Sequence, residues 1–325
     1  MKRGLLGRIG AERMAYNRPT LGIVLFLVLL VIYATKTKNF FTMFQLKDII
    51  LNSTLAIALA AVGACIVLIS GGFDLSAGAT VVLLNVTLVT AYTRGAPGGI
   101  ILWSVICLVI AIVVGLANGF LVAIIRLPPI IATLAMSFIL QGIALLVMPT
   151  PTGMVPPEYI DFWTGAVGGI IPTALIFFIL LFLFLFVLKN SSFGTNIYAI
   201  GSDEYAAYLN GIPVVRVKLA VYVLAAFFYG LSGLYFTAQM GSGDATLASP
   251  LLLSILAAVV VGGISIGGGK GAFSGSIVGA AVMNMTVVVL FVVGVSSYWG
   301  PIANGIVLIG AVVLTAFWNR RATKP

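Results

Sequence analysis

Long apolar runs separated by short polar or glycine-rich joints dominate this chain of 325 residues. A membrane-spanning helix needs about 20 mostly apolar residues, because the hydrocarbon core of a bilayer is about 30 Å thick. The pattern therefore predicts an all-α integral membrane protein with about ten transmembrane helices. The predicted spans lie near residues 20–35, 48–70, 74–93, 99–125, 129–149, 169–188, 218–240, 251–267, 272–293 and 299–318.

The eighth predicted span, residues 251–267, is short and has glycine, serine and proline around it. It is a candidate for a broken or re-entrant helix, which is tolerated at membrane depth only inside protein or beside water. A weak internal two-fold repeat is also expected. Gly71–Gly78 and Gly262–Gly269 share a spacing in which a pair of glycines is followed, after five residues of any type, by another glycine, and each stretch joins two apolar runs. Related halves of this kind are common in transporters.

Charged residues are few, and basic ones cluster at both ends of the chain. Only 8% of residues are charged, the formal net charge is +9 and histidine is absent. Basic clusters beside spanning segments follow the positive-inside rule and argue against nucleic-acid binding. We expect a basic cytosolic N-terminus at residues 1–19, a transmembrane domain at 20–318 and a cytosolic tail at 319–325. Residues 36–47 carry three lysines, although the predicted order of spans places them outside. The orientation of the first pair of spans is therefore not assigned.

The chain offers no assembled catalytic chemistry. Cys65 and Cys107 lie inside apolar runs and are expected to be buried free thiols. The stretch Gly267–Gly271 lacks the spacing of a phosphate-binding loop, because Ile264 stands where that motif needs glycine and Gly271 replaces its Ser/Thr. We therefore expect a transport subunit without its own nucleotide site, catalytic residues, metal or cofactor.

The stretch from Gly71 to Gly78 is the sharpest local motif. Its glycines interrupt a helix, and Asp74 and Ser76 begin the next one. An acid in a membrane segment is costly and usually faces protein or water. Asp74 is expected either to cap the following helix, to act on the substrate or gate, or to do both.

Polar side chains inside the apolar runs are mostly neutral. Their default role is to form hydrogen bonds between helices, but a sugar also needs many neutral donors and acceptors. Some of them are therefore expected to line a pathway. The candidates for the translocation pathway or gate are Gly71, Gly72, Asp74, Ser76, Asn118 and Asn284.

Residues 189–217 form the only long joint on the predicted cytosolic side, and we call them the coupling loop. The sequence predicts one short polar helix here, ended by glycine and Pro213. Ala207 and Gly211 are four residues apart, which indicates a face of small residues that a partner could approach closely. The turn Arg126–Pro129 is a second candidate contact. The candidate coupling residues are Asp203, Glu204, Ala206, Ala207 and Gly211.

Four ordered stretches resemble the membrane permease subunits of bacterial ABC sugar importers, a group that includes the ribose, xylose and galactose permeases. Two departures are mild, since Phe73 stands where the family usually has isoleucine and Ala77 where it often has valine. The matching stretches are residues 71–78, 128–134, 198–212 and 257–269.

This resemblance implies a permease of the inner membrane with both termini in the cytosol. It implies a homodimer, or a pair with a paralogue, seated on a cytosolic ABC ATPase and supplied by a periplasmic or lipoprotein sugar-binding protein. The coupling loop resembles the family's coupling helix, which seats in a groove of the ATPase.

Two alternatives stay open. Branched-chain amino acid permeases are distant relatives, although an amino acid would need charged partners. An ion-coupled secondary transporter would need more buried titratable groups than Asp74 alone. A neutral pathway favours a sugar or polyol, and the sequence does not identify which one.

Overall fold

The computed structural model describes residues 20–296 and 299–322 of the chain. The expectations for the basic residues at 1–19 and for residues 323–325 therefore lie outside the described residues.

Helices make up almost all of the regular structure, and we number them in chain order. The α-helices are α1 Thr20–Lys36, α2 Ser53–Ile69, α3 Ala77–Thr93, α4 Gly99–Gly119, α5 Pro129–Val147, α6 Pro157–Thr164, α7 Thr173–Asn190, α8 Ser192–Ser202, α9 Glu204–Leu209, α10 Val214–Met240, α11 Ala248–Val261, α12 Gly275–Val292 and α13 Gly300–Ala322. The other elements are the π-helical turns Gln45–Asn52 and Phe120–Ile124, the 3-10 turn Ala245–Leu247, and the antiparallel strands β1 Ala166–Val167 and β2 Ile171–Pro172.

Six of the described helices are long and apolar enough to cross a membrane. They cover Gln45–Ile69, Gly99–Ile124, Pro129–Val147, Thr173–Asn190, Val214–Met240 and Gly275–Val292. Shorter apolar helices accompany them at Thr20–Lys36, Ala77–Thr93, Ala245–Val261 and Gly300–Ala311. This content confirms the predicted all-α membrane architecture.

Helix α2 lies at the centre of the molecule and is buried along nearly its whole length. It packs against α10, α11 and α12, while α10 also packs against α3 and α4. Small residues make these approaches close. A Cβ atom added at Gly63 would lie 2.7 Å from the carbonyl oxygen of Ala225, and one at Gly115 would lie 2.7 Å from that of Tyr222. Larger residues would force the helices apart.

Helices α4, α5 and α7 form an outer layer whose apolar side chains point away from the core. Their exposed residues include Ile101, Phe138, Leu146 and Phe186. In water such a surface would be unfavourable, whereas in a bilayer lipid chains cover it.

Several predicted boundaries differ from the observed ones. The span predicted at 251–267 ends as a helix at Val261, because positive φ angles at Gly263 and Gly268 turn the backbone out of the helix. Residues 262–274 are irregular, apart from turns. The span predicted from residue 169 begins at Thr173, since the β1–β2 hairpin occupies the preceding residues. The hairpin and the glycine-rich turns after α11 are too short to show a periodic pattern from which they could be predicted.

Candidate functional site

The coupling loop contains two helices, α8 and α9, where the sequence predicted one. Each begins with a side-chain cap. Ser191 Oγ accepts a hydrogen bond from the backbone N–H of Gly194 at 3.0 Å, and Asp203 Oδ1 accepts one from that of Ala206 at 2.9 Å. Such caps satisfy backbone donors that the first helical turn leaves free. Asp203 therefore has a structural role at the start of α9.

The small residues of the predicted face do not all point the same way. Ala207 is 4% exposed and packs inward, so its small size lets α9 lie closely on its own membrane domain. Gly211 lies beyond the end of α9, in a turn with φ of 79°. Spacing alone could not separate packing against the same chain from packing against a partner.

The outward surface of α9 is aromatic and apolar. Tyr205 is 72% exposed, Tyr208 is 64% exposed and Leu209 is 66% exposed, and Ala206 is exposed between them. The three large residues were not among the predicted coupling residues. Their exposure could not be predicted from the sequence, because it depends on the direction in which Ala207 points. Exposed aromatic residues of this kind are typical anchors of protein interfaces.

An ion pair joins α9 to the start of α10. Lys218 Nζ contacts a carboxylate oxygen of Glu204, on the side of α9 that faces the first turn of α10. Glu204 is more than half exposed, so the pair contributes little stability by itself. It orients α9 against α10, which runs into the membrane domain.

The turn Arg126–Pro129 and the coupling loop face each other across one open cavity of about 1120 Å³. Arg126 has a positive φ of 64°, which is uncommon for a residue with a side chain. The coupling loop and the Arg126–Pro129 turn, which were alternative candidate contacts in the sequence, therefore line the same cavity. The charged and aromatic residues that line the cavity are Arg126, Glu204, Tyr205, Tyr208, Arg216 and Lys218.

Asp74 is buried in the segment between α2 and α3, where it holds the start of α3. Its Oδ1 accepts hydrogen bonds from the backbone N–H of Ser76 at 2.9 Å and from Ser76 Oγ at 2.6 Å. Ser76 already has helical backbone angles. A carboxylate that accepts from the backbone two positions later forms an Asx-turn, and this turn fixes the residues just before α3, whose N-cap position is Ser76.

This carboxylate belongs to a network that joins three helices. Asn118 Nδ2 in α4 donates to Ser76 Oγ at 2.8 Å, and the backbone N–H of Leu75 donates to Thr133 Oγ1 in α5 at 3.0 Å. The Tyr222 hydroxyl in α10 donates to the carbonyl of Phe73 at 3.2 Å. Asn118 Oδ1 is buried without a hydrogen-bond partner among the described residues.

Asn284 lies in a separate network, so the structure does not bring all six predicted pathway residues together. Its Nδ2 donates to the carbonyl of Ile49 at 2.9 Å and to Thr54 Oγ1 at 3.1 Å. These bonds tie α12 to α2 and its preceding turn. Gly71, Gly72, Asp74, Ser76 and Asn118 form one group beside the end of α2.

A smaller cavity of about 180 Å³ lies between α11, α12 and α13. Asn304 Nδ2 donates to Ser254 Oγ at 3.2 Å at its edge, while Asn304 Oδ1 is buried without a partner among the described residues. Asn304 is one of the neutral polar residues inside the apolar runs, whereas its contact with Ser254 was not predicted. Among the described residues, no group of three or more His, Cys, Asp or Glu side chains could hold a metal ion.

Comparisons with known proteins agree on one family. Residues 46–316 match the family model described as branched-chain amino acid transport system / permease component. The chain is 32% identical over 297 residues to the ribose import permease protein RbsC of Escherichia coli (strain K12), which covers 90% of this chain and 92% of that protein. No solved structure matches.

Two further relatives are permeases named for other sugars. The chain is 31% identical over 314 residues to the L-arabinose ABC transporter permease protein AraH of Azospirillum brasilense, covering 93% of this chain and 89% of that protein. It is 32% identical over 309 residues to the galactose/methyl galactoside import permease protein MglC of Salmonella typhimurium (strain LT2), covering 90% and 92%. The chain therefore belongs to this family of transport permease components, which are multi-pass membrane subunits rather than enzymes.

Proposed function

We propose that the chain is the permease subunit of an ATP-driven ABC importer and forms the translocation pathway for a sugar or related polyol. The observation that carries the proposal is the similarity to the ribose, arabinose and galactose permeases along about nine-tenths of the chain. The family description also names branched-chain amino acid transport, so the cargo has to be argued separately.

Neutral side chains support a sugar as the cargo. Asn118 and Asn304 each keep a buried amide oxygen without a partner among the described residues. Asn118 lies in a candidate membrane span and Asn304 in a shorter apolar helix. Amides and hydroxyls suit the many neutral hydroxyl groups of a sugar. An amino acid would need a carboxylate partner for its ammonium group and a basic partner for its carboxylate.

Energy for transport comes from a separate subunit in this proposal. A cytosolic ABC ATPase hydrolyses ATP, a periplasmic or lipoprotein sugar-binding protein delivers the cargo, and a second copy or a paralogue completes the pathway. The permease crosses the inner membrane ten times, by the six long and four shorter apolar helices, and keeps both termini in the cytosol. Its two glycine-containing loops, which follow α2 and α11, are equivalent parts of a two-fold repeat.

The ATPase docks on the coupling loop. The exposed Tyr205, Tyr208 and Leu209 on α9 provide the contact, and Arg126 borders the same cavity. Of the residues expected from the sequence, Ala206 and Gly211 belong to the outward surface. Asp203, Glu204 and Ala207 support it by capping α9, orienting it and seating it on the membrane domain.

The pathway or gate includes the segment Gly71–Ser76 with Asn118. Glycine-broken backbone next to a buried carboxylate is tolerated at membrane depth where it is enclosed by protein or borders water. Asn284 contributes by fixing α12 to α2. The cavity beside Asn304 is mostly apolar, with Asn304 and Ser254 as its polar side chains.

The cargo can be tested by uptake. Cells that lack their own pentose, hexose and leucine importers would produce this permease with its ATPase and binding protein. We expect accumulation of at least one of labelled ribose, arabinose and galactose, and none of labelled leucine above background. Uptake of leucine without uptake of any sugar would contradict the proposed cargo.

A further inference from the structure

The last turn of α8 lies directly on the end of α2. A Cβ atom added at Gly201 would lie 1.8 Å from the carbonyl oxygen of Ile69, well inside any permitted contact. It would also lie 2.6 Å from the backbone nitrogen of Gly269. Only a glycine therefore fits at position 201 without movement of the backbone around it.

Two glycine-containing loops meet at this point. We call residues 70–76, which follow α2, the first glycine loop, and residues 262–274, which follow α11, the second glycine loop. The backbone N–H of Gly269 donates to the carbonyl of Ile69 at 2.8 Å. A Cβ atom added at Gly268 would lie 2.8 Å from both the carbonyl oxygen of Gly201 and the Cα of Gly71.

Three backbone segments from distant parts of the chain thus touch with no side chain between them. We call this contact of Gly71, Gly201, Gly268 and Gly269 the glycine junction. Side chains can absorb a displacement by changing rotamer, whereas backbone in direct contact has no such freedom. A displacement of any one segment is therefore passed to the other two.

Helix α8 is also fastened to the second glycine loop. The Tyr198 hydroxyl donates to the carbonyl of Gly271 at 2.8 Å, and the Tyr198 ring meets that of Phe273 edge-on at a centroid distance of 5.2 Å. Ile197 and Ile200 on the same helix are buried in the core. Only Asp203 separates α8 from α9, so the two helices are linked by a very short connection.

We propose that Gly201 is a positioning residue of transport, which couples α9 through the glycine junction to both glycine loops at once. The inference rests on the proposed function. A shift of α9 displaces α8, and α8 then moves the ends of α2 and α11 together. The first glycine loop contains Asp74, whose buried carboxylate accepts hydrogen bonds from Ser76. A movement of Gly71 therefore displaces this carboxylate, which lies only a few residues further along the chain. Only contacts that differ between two conformations of the permease can shift the equilibrium between them. The glycine junction is such a contact in this proposal, and it joins the docking surface to the pathway.

The test uses Gly201→Ala in the purified permease with its ATPase and binding protein in liposomes. The outward residues of α9 are unchanged, so the ATPase should still co-purify and basal ATP hydrolysis should persist. Stimulation of hydrolysis by the sugar-loaded binding protein, and sugar uptake, should each fall at least tenfold. The matched control is Gly267→Ala in the second glycine loop, where an added Cβ would meet just Ser265 Oγ at 3.7 Å among the described residues.

A second variant keeps the test informative if the Gly201→Ala permease fails to insert into the membrane. Tyr198→Phe adds no atom and removes the hydrogen bond to Gly271, so it should insert normally and lower the stimulated-to-basal hydrolysis ratio several-fold. A residue with only a structural role would lower expression and ATPase retention and leave that ratio unchanged. Wild-type ratios in Tyr198→Phe, or in an inserted Gly201→Ala, would overturn the inference. Absence of ATP-dependent uptake in the unmodified complex would instead overturn the proposed function.

Discussion

Asp74→Leu should remove most of the folded permease from the membrane, while Asp74→Asn should retain it. Leucine leaves the backbone N–H and the hydroxyl of Ser76 without their acceptor in a buried site. Each buried donor left unpaired costs roughly 1–3 kcal/mol. Asparagine still offers a carbonyl oxygen to the same donors and can form the same turn. The measurement is the amount of monodisperse protein in detergent and its unfolding midpoint.

Asp244 provides a matched control for this prediction. Its Oδ1 accepts from the backbone N–H of Thr246 at 2.8 Å and from Thr246 Oγ1 at 2.6 Å, the same pattern at an exposed site. Water can replace the lost acceptor there, so Asp244→Leu should cost much less. If Asp74→Asn folds normally but stops transport, the charge of Asp74 is itself required and its hydrogen bonds to Ser76 are an insufficient account.

The double variant Tyr208→Asp with Leu209→Asp should lose at least tenfold in the amount of ATPase that co-purifies. Both side chains are largely exposed on α9, so the changes leave the fold of the permease intact. Carboxylates at the centre of an interface must lose water without gaining a partner, which strongly weakens association. The measurement is the ratio of ATPase to permease after affinity purification from membranes.

Met154→Asp is the control for charge alone, because Met154 is also exposed and lies on the joint expected outside. It should leave the ratio of ATPase to permease unchanged.

Since the ATPase is cytosolic, dependence of this ratio on residues of α9 would also place the coupling loop in the cytosol. An unchanged ratio in the double variant would move the docking site elsewhere, with the wall formed by Arg126–Pro129 as the next candidate.

The sequence predicted the helices well because lipid imposes a strong requirement. Backbone groups in the hydrocarbon core have to be paired within a helix, so each long apolar run has few other outcomes. Local exceptions were harder to predict. Helix α11 ends at Val261 where glycines adopt positive φ, and hydropathy does not report backbone angles. The β1–β2 hairpin is too short to show alternation.

The candidate site was predicted less completely, because most of its contacts join residues far apart in the chain. The roles of Asp74 and Ser76 follow from a spacing of two residues, and the sequence contained that signal. Ala207 could face either its own domain or a partner, since both use small residues for close approach. The contact of Gly201 with Ile69 spans more than a hundred residues, and no local pattern encodes it.

The most direct test of the account is to identify what drives uptake in proteoliposomes. The permease, its ATPase and the sugar-loaded binding protein would be reconstituted with ATP accessible to the ATPase. We predict that sugar accumulates only when the ATPase is present and can hydrolyse ATP, and that dissipating proton and sodium gradients has no effect. Accumulation by the permease alone, driven by an ion gradient and independent of ATP, would contradict the account.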